Sequence, residues 1–442
     1  MNAHITSLIT KDLQHIWHPC SQMKDYLLFP PLIITGAQGS YLELAEGGKV
    51  IDAISSWWCK TLGHQHPRLK NALLRQLEQF EHVIFANTTH ETIVQLSEKL
   101  TQLMPTLNKV FYAGDGSCAV EVALKMSLHA RQITRESKKT KFIALKNGYH
   151  GETLGALSVS DLGLYRTPYQ SLLFDAYFID DLPYVLNKYD PLWFDCTEHW
   201  QRIEKKLMPY AETTTAIILE PIVQGVGGMQ IYSQDFLKRL RSWTQQNGIH
   251  LIADEIMTGI GRTGKMLACQ HAGIEPDFLC LSKGLTGGWL PLSAVLTTDT
   301  IYQYFYADYQ PHTSFLHSHT HSGNALAASV ALEVLHIMAE EKWHEQASRL
   351  EEVMFAMMTD IAEQTGKLTR VRGIGAIVAA DLVDTTAARP GFEVYRRAAA
   401  LGALLRPLGN TIYWLPPLNI EMATLEELMD ITMGSLSEGD VE

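Results

Sequence analysis

The chain reads as an α/β protein built on a mostly parallel sheet flanked by helices. Three observations predict this. Between residues 109 and 283, short apolar runs alternate with helix-length amphipathic stretches, the pattern of strand–helix–strand units. Several of these runs end on charged or polar residues, as strands do where they open onto a crevice. A length of 442 residues exceeds what one small core needs, so a large domain with a smaller companion is expected.

Composition narrows the function. Hydrophobic residues make up 46% and charged residues 19%, an ordinary balance for a globular enzyme. Asp+Glu outnumber Lys+Arg 48 to 36, and no basic run breaks the acidic balance. Nucleic acid and anionic membranes are therefore poor partners, whereas a local pocket for a small anion remains open. The six cysteines (Cys20, Cys59, Cys118, Cys196, Cys269, Cys280) form no C-x-x-C pair and read as reduced thiols of a cytosolic protein. The N-terminus lacks the pattern of a signal peptide, and no apolar run is long enough for a transmembrane helix.

In chain order, residues 1–60 begin with a short helix and continue as extended pieces punctuated by Pro30-Pro31, Gly36, Gly39 and Gly47-Gly48. Trp57 and Trp58 follow two serines. On an extended segment they point to opposite faces, one into the core and the other onto a cavity; two packing tryptophans are the alternative. From Pro67 to about Met104 the apolar spacing is helical, with an interruption at IFANTTHE where Thr89 caps the second helix. Val110 to Tyr112 form a strand. The turn Gly114-Asp115-Gly116-Ser117 then opens a helix to about Gln132, and free N–H groups at such a helix start suit a phosphate. Small turns before helices are common, so this signal alone is weak.

The strand in FIALKNGYHG ends at Tyr149, whose ring could lie against a flat ligand or pack in the core. A helix near His199 to Met208, a strand from Ala216 to Leu219 and a helix from Gln234 to Asn247 lead to the stretch from Leu251 to Gly288. Here one apolar run ends on Asp254 and Glu255, and a second, Phe278 to Leu281, ends on Ser282 and Lys283. Parallel strands would bring Asp254 and Lys283 to one crevice. A lysine can form a Schiff base with an aldehyde cofactor, and an aspartate can hold that cofactor's ring nitrogen protonated. A surface lysine and a capping aspartate are the plain alternative.

Beyond another strand at LSAVLTT, His317, His319 and His321 alternate. On a strand they would share a face, but no carboxylate or cysteine completes a metal set, and none is expected. A long helix from Asn324 to Glu340 leads to the C-terminal region. There Arg406 sits between an apolar run and Pro407: an arginine that is structural, or the fork a substrate carboxylate needs.

Taken together, IADEIMTGIGRTGKMLACQHAGIEPDFLCLSKGLTGGWLPLSAVLTT, HIWHP, SSWW, GSCAVEVALKM, NGYHGETLGALSVSD and EPIVQGVGGM resemble the class III aminotransferases, fold-type I enzymes dependent on pyridoxal 5'-phosphate. The resemblance covers almost the whole chain and points to the biotin-pathway branch. It implies a large cofactor-binding domain over 61–330 and a smaller α+β domain built from 1–60 and 331–442. It also implies a homodimer with sites at the subunit interface. Lys283 and Asp254 are then the catalytic pair. Gly116, Ser117, Tyr149, His319 and Thr320 join them around the cofactor, with Thr320 donated across the dimer. Cys20, Trp57, Tyr149, Glu152, Arg262, Lys283, Ser318 and Arg406 fall at substrate positions, Arg406 for a carboxylate.

The implied activity is amino transfer to 8-amino-7-oxononanoate from S-adenosylmethionine. The alternatives are lysine as donor, or another class III reaction on ω-amino acids or diamines. A free lysine has a pKa of ~10.4, so the pocket must lower that of Lys283 if it is to act as a base. The chain departs from the family pattern at three places. Cys20 replaces a tyrosine, Glu152 an aspartate, and Ser318-His319-Thr320 a Gly-Pro-Thr loop.

Overall fold

The computed structural model describes residues 3–384, 386 and 388–437. At its centre is a seven-stranded sheet. From one edge to the other its strands are Lys109–Ala113, Ser293–Thr297, Phe278–Leu281, His250–Asp254, Thr214–Leu219, Lys141–Leu145 and Ala176–Ile179. Ser293–Thr297 runs antiparallel to both neighbours, and the other pairings are parallel. Every residue of Thr214–Leu219 is buried, because helices cover both faces of the sheet. Successive residues go to opposite cores. Ile217 and Leu219 join one apolar cluster with helix Ala325–Glu341, and Ala216 and Ile218 join another with helix Gly116–Ile133.

Three smaller sheets surround it. Ile34–Gln38, Tyr41–Leu44 and Lys49–Asp52 form an antiparallel set, and Ala403–Leu404 adds to it in parallel through Ile51 and Asp52. Leu368–Ile374, Ile377–Leu382 and Thr411–Trp414 form a second antiparallel set, near the C-terminus. The third joins Tyr184–Val185, Gln230–Tyr232 and Val223–Gln224. No helix among the described residues is long and apolar enough to cross a membrane.

The structure alters two local expectations and places the alternating histidines. The stretch after Pro67 splits into helices Pro67–Leu77 and Glu91–Leu103, and the second is capped by His90, whose Nδ1 accepts from the Ile93 N–H at 3.2 Å, not by Thr89. Residues 55–58 are not extended: Ser55, Ser56, Trp57 and Trp58 all have positive φ, between 45° and 72°. Such a conformation costs about 1–2 kcal/mol per residue, so tertiary contacts must hold it. The alternating histidines lie on no strand: His317 and His319 are in irregular chain and His321 in a turn. His317 Nε2 is 3.1 Å from His319 Nε2, and the Lys125 ammonium is 2.9 Å from His317 Nδ1. A neighbouring cation opposes metal binding, and among the described residues no group of three or more His, Cys, Asp or Glu could hold a metal.

Candidate active site

The parallel register pairs Asp254 with Cys280, so Lys283 follows at the same end of the sheet. Both residues line one cavity of about 430 Å³, together with Gly116, Ser117, Tyr149 and His150. The Asp254 side chain is 4% exposed. Its Oδ2 lies 2.7 Å from His150 Nδ1, and its Oδ1 accepts the Ile256 N–H at 3.1 Å. Two fixed neighbours therefore set the direction of this carboxylate. His150 Nε2, the other ring nitrogen, is buried with no protein partner.

Lys283 has a left-handed backbone, φ 42°, and its Nζ stands 4.5 Å from the centre of the Trp58 ring. The pocket walls withdraw the amine from bulk water, and this desolvation lowers its pKa below the usual lysine value, while the Asp254 charge pulls the other way. The lowered value demanded of a lysine base is thus present in direction. Trp58 is held by its own Nε1–H, which donates to the Tyr413 hydroxyl at 3.0 Å.

The two acids that end strand His250–Asp254 separate. Glu255 turns into the core, where its oxygens accept the Ala268 and Cys269 N–H groups at 2.6 and 2.8 Å, and burial pushes its pKa up to about 7. Glu220, at the end of the neighbouring strand, faces the cavity. Burial, reinforced by the Asp254 charge, raises it to about 7 as well. Its carboxylate accepts the N–H groups of Tyr149 at 3.0 Å and Gly225 at 2.8 Å, so it anchors two loops that wall the site.

Helix Gly116–Ile133 begins at the cavity, and Asp115 caps it by accepting the Cys118 N–H at 3.0 Å. The first turn of this helix presents free N–H groups between Gly116 and Ser117. Gly151, at φ 121°, packs against Ser117 so closely that a β-carbon there would collide with the Ser117 hydroxyl.

A second cavity, about 900 Å³, shares Trp58, Tyr149 and Lys283 with the first. Cys20, Trp57, Glu152 and Arg406 line it. The Tyr149 hydroxyl donates to Glu152 Oε1 at 3.0 Å, and the Cys20 thiol lies 3.9 Å from the same oxygen. Burial first and the Glu152 charge second raise the pKa of that thiol. The Arg406 guanidinium stacks over the Trp57 ring at 4.7 Å and donates to the Cys20 carbonyl at 3.1 Å.

Nine of the sequence-derived site residues thus meet at two joined cavities. Arg262 does not. It is 2% exposed in the core, and its Nη1 donates to the carbonyls of Pro416 at 2.5 Å and Ala376 at 3.4 Å. It follows Asp254 in sequence, but it lines neither cavity, whereas Ile256 and Met257 of the same stretch line the first. Ser318, His319 and Thr320 do not line either cavity of their own chain; the Thr320 carbonyl lies 2.8 Å from His82 Nε2. His150 and Glu220 also line the first cavity, and neither stood out in the sequence as a site residue. The signal for His150 was its place beside Tyr149 in the same glycine-flanked turn.

An acid on a strand end, a lysine with a lowered pKa, a flat aromatic and a helix start around one cavity make up the donor set that pyridoxal phosphate needs. Comparison with known proteins agrees. The class-III aminotransferase family model matches residues 23–435. An adenosylmethionine-8-amino-7-oxononanoate aminotransferase of Helicobacter pylori is 40% identical over 415 residues, 93% of each chain. One of Synechococcus elongatus is also 40% identical, over 94% of this chain and 96% of that one. Among solved structures, the enzyme of that name from Methanocaldococcus jannaschii superposes with a TM-score of 0.89 at 32% identity, covering 99% of this chain and 100% of that one. A pyridoxal-phosphate-bound amine transaminase from an uncultivated Pseudomonas species gives 0.87 at 30% identity, covering 96% and 98%. The chain belongs to the class III aminotransferases.

Proposed function

We propose that this enzyme transfers an amino group to the ketone of 8-amino-7-oxononanoate, giving 7,8-diaminononanoate for biotin, with S-adenosylmethionine as the donor. The observation that carries the reading is that Lys283 borders both cavities, one suited to a phosphorylated pyridine and the other walled by Trp57, Glu152 and Arg406. The names of the relatives from Helicobacter pylori and Synechococcus elongatus support the same substrate.

The roles follow from the chemistry of the side chains. Pyridoxal phosphate, when bound, supplies the electron sink and carries the amino group between substrates. Lys283 anchors it and, with its lowered pKa, takes and returns the proton at the reacting carbon. Asp254, oriented by His150, sets its negative charge against the ring nitrogen. Gly116 and Ser117 offer N–H groups to the phosphate. Tyr149 lays its ring beside the site and steers Glu152 through its hydroxyl. Arg406 receives the carboxylate of the oxononanoate, and the Glu152 carboxylate favours a cationic amine.

The proposal extends to a homodimer in the cytoplasm, in which the loop Ser318-His319-Thr320 reaches the phosphate of the opposite site. It also takes residues 61–330 as the cofactor-binding domain and 1–60 with 331–442 as the smaller one.

A donor screen tests the reading. Purified enzyme with oxononanoate is incubated with S-adenosylmethionine, lysine or other amines, and diaminononanoate is quantified while cofactor absorbance follows each half-reaction. Product with S-adenosylmethionine is expected. Turnover only with lysine would replace the donor, and turnover only of ω-amino acids or diamines would replace the reaction. Sedimentation analysis checks the dimer.

A further inference from the structure

The turn bearing the two tryptophans is held from outside by a buried cluster. Asp52, the last residue of strand Lys49–Asp52, is fully buried. One oxygen of its carboxylate accepts the Ser56 N–H at 2.8 Å. The other accepts the Ser56 hydroxyl at 2.7 Å and lies 2.9 Å from His64 Nε2. The backbone of His64 is in turn fixed to Gly39, through an N–H to carbonyl bond in each direction at 2.8 and 3.1 Å. On the far side, the Ser55 hydroxyl donates to the Leu415 carbonyl at 2.7 Å. Four consecutive non-glycine residues in left-handed conformation do not persist without such restraints.

The turn has two outputs. Trp58 goes under Lys283 and Trp57 under Arg406. Trp58 has a restraint of its own in Tyr413, whereas Trp57 is 41% exposed on the cavity side, and its direction depends on the backbone that carries it. A planar guanidinium on a flexible stem loses much less freedom when an aromatic face already supports it.

We propose that Asp52 and His64 are positioning residues for substrate selection: they lock the left-handed turn so that Trp57 presents the Arg406 guanidinium to the carboxylate of the ketone substrate. This rests on the reading of Arg406 given above. Neither residue touches substrate, and their effect passes through Ser56 and Trp57.

The test measures KM of the holoenzyme for 8-amino-7-oxononanoate and for a matched amino ketone lacking the carboxylate. The variants are Asp52→Asn and Arg406→Gln, with cofactor absorbance recorded for each. Arg406→Gln is expected to raise KM for the acid only. Asp52→Asn is expected to do the same, by about tenfold, the scale of a supported cation–π contact. Cofactor absorbance should be unchanged in both. If Arg406→Gln is selective for the acid but Asp52→Asn affects both ketones equally, or neither, the positioning role is overturned and the reading of Arg406 stands. If Arg406→Gln is itself unselective, that reading fails and the proposal falls with it. Should Asp52→Asn not fold, Ser56→Ala, which removes one bond to Asp52, is judged by the same criterion.

Discussion

His150 Nδ1 stands 2.7 Å from Asp254 Oδ2, with both side chains almost wholly removed from solvent. The contact fixes the carboxylate that would face a ring nitrogen. His150→Asn keeps a polar group but moves it. We expect kcat/KM to fall by roughly 10- to 100-fold, the equivalent of losing a hydrogen bond to a charged group. Steady-state kinetics with a cofactor titration will check this, and an unchanged rate would remove His150 from the site.

Lys283→Ala is expected to abolish turnover and the absorbance band of lysine-linked cofactor, while the melting temperature shows that the fold persists. Residual transamination at a substantial fraction of the original rate would assign the proton transfer elsewhere.

Gly151→Ala tests the helix start. The added carbon meets the Ser117 hydroxyl, and the residue would have to keep a φ of 121°. The expected result is a cofactor Kd raised by about tenfold or more, equivalent to at least ~1.4 kcal/mol of lost binding. Fluorescence titration of apoenzyme with pyridoxal phosphate measures it.

Glu255 gives a pH signature. Burial raises its folded pKa from the ordinary carboxyl value of 4.5 to about 7. Between those values the folded chain binds more protons at this site than the unfolded chain, so its contribution to stability falls as pH rises through that window. Glu255→Gln removes this slope. Relative to the parent, the variant should gain melting temperature from pH 5 to pH 8, whatever constant offset the altered hydrogen bonds impose. Parallel melting curves for the two proteins across that range would refute the shift.

Arg262 separates structure from specificity. Arg262→Gln strips the Pro416 and Ala376 carbonyls of their donor inside the core. A stability loss of about 1–3 kcal/mol per orphaned group is expected, with KM for the ketone within about twofold of the parent at equal loading, since the residue lines neither cavity. A large selective rise in KM would return Arg262 to the substrate pocket.

The sheet and its chemical pair were legible because they rest on local signals. Apolar runs bounded by polar residues locate strands, and parallel strands share one open end, so Asp254 and Lys283 converge without further information. The conformation of Trp57 and Trp58 was not legible. No glycine marks the left-handed turn, and the groups that enforce it come from Asp52, His64 and Leu415. Arg262 lines neither cavity for a related reason: proximity in sequence to Asp254 says nothing about which way the intervening turns carry the side chain. The histidines alternate with the period of a strand, but a period of two identifies a strand only where a neighbouring strand pairs with it, and residues 317–321 belong to none.

One pairing bears on the life of the chain before it is an enzyme. Among the described residues, the strand leading to Gly116 and Ser117 pairs only with Ser293–Thr297, where Ala113 meets Ser293. The tryptophan turn, near residue 55, finds its partners at Tyr413 and Leu415. A nascent chain emerging from the ribosome therefore cannot complete the pocket until nearly all of it has been synthesised. Contacts of such separation form slowly, and an N-terminal fragment holds Gly116 and Ser117 without the strand that seats them. Cofactor capture is thereby postponed to the end of translation, and truncated products are left unable to sequester pyridoxal phosphate in a finished site.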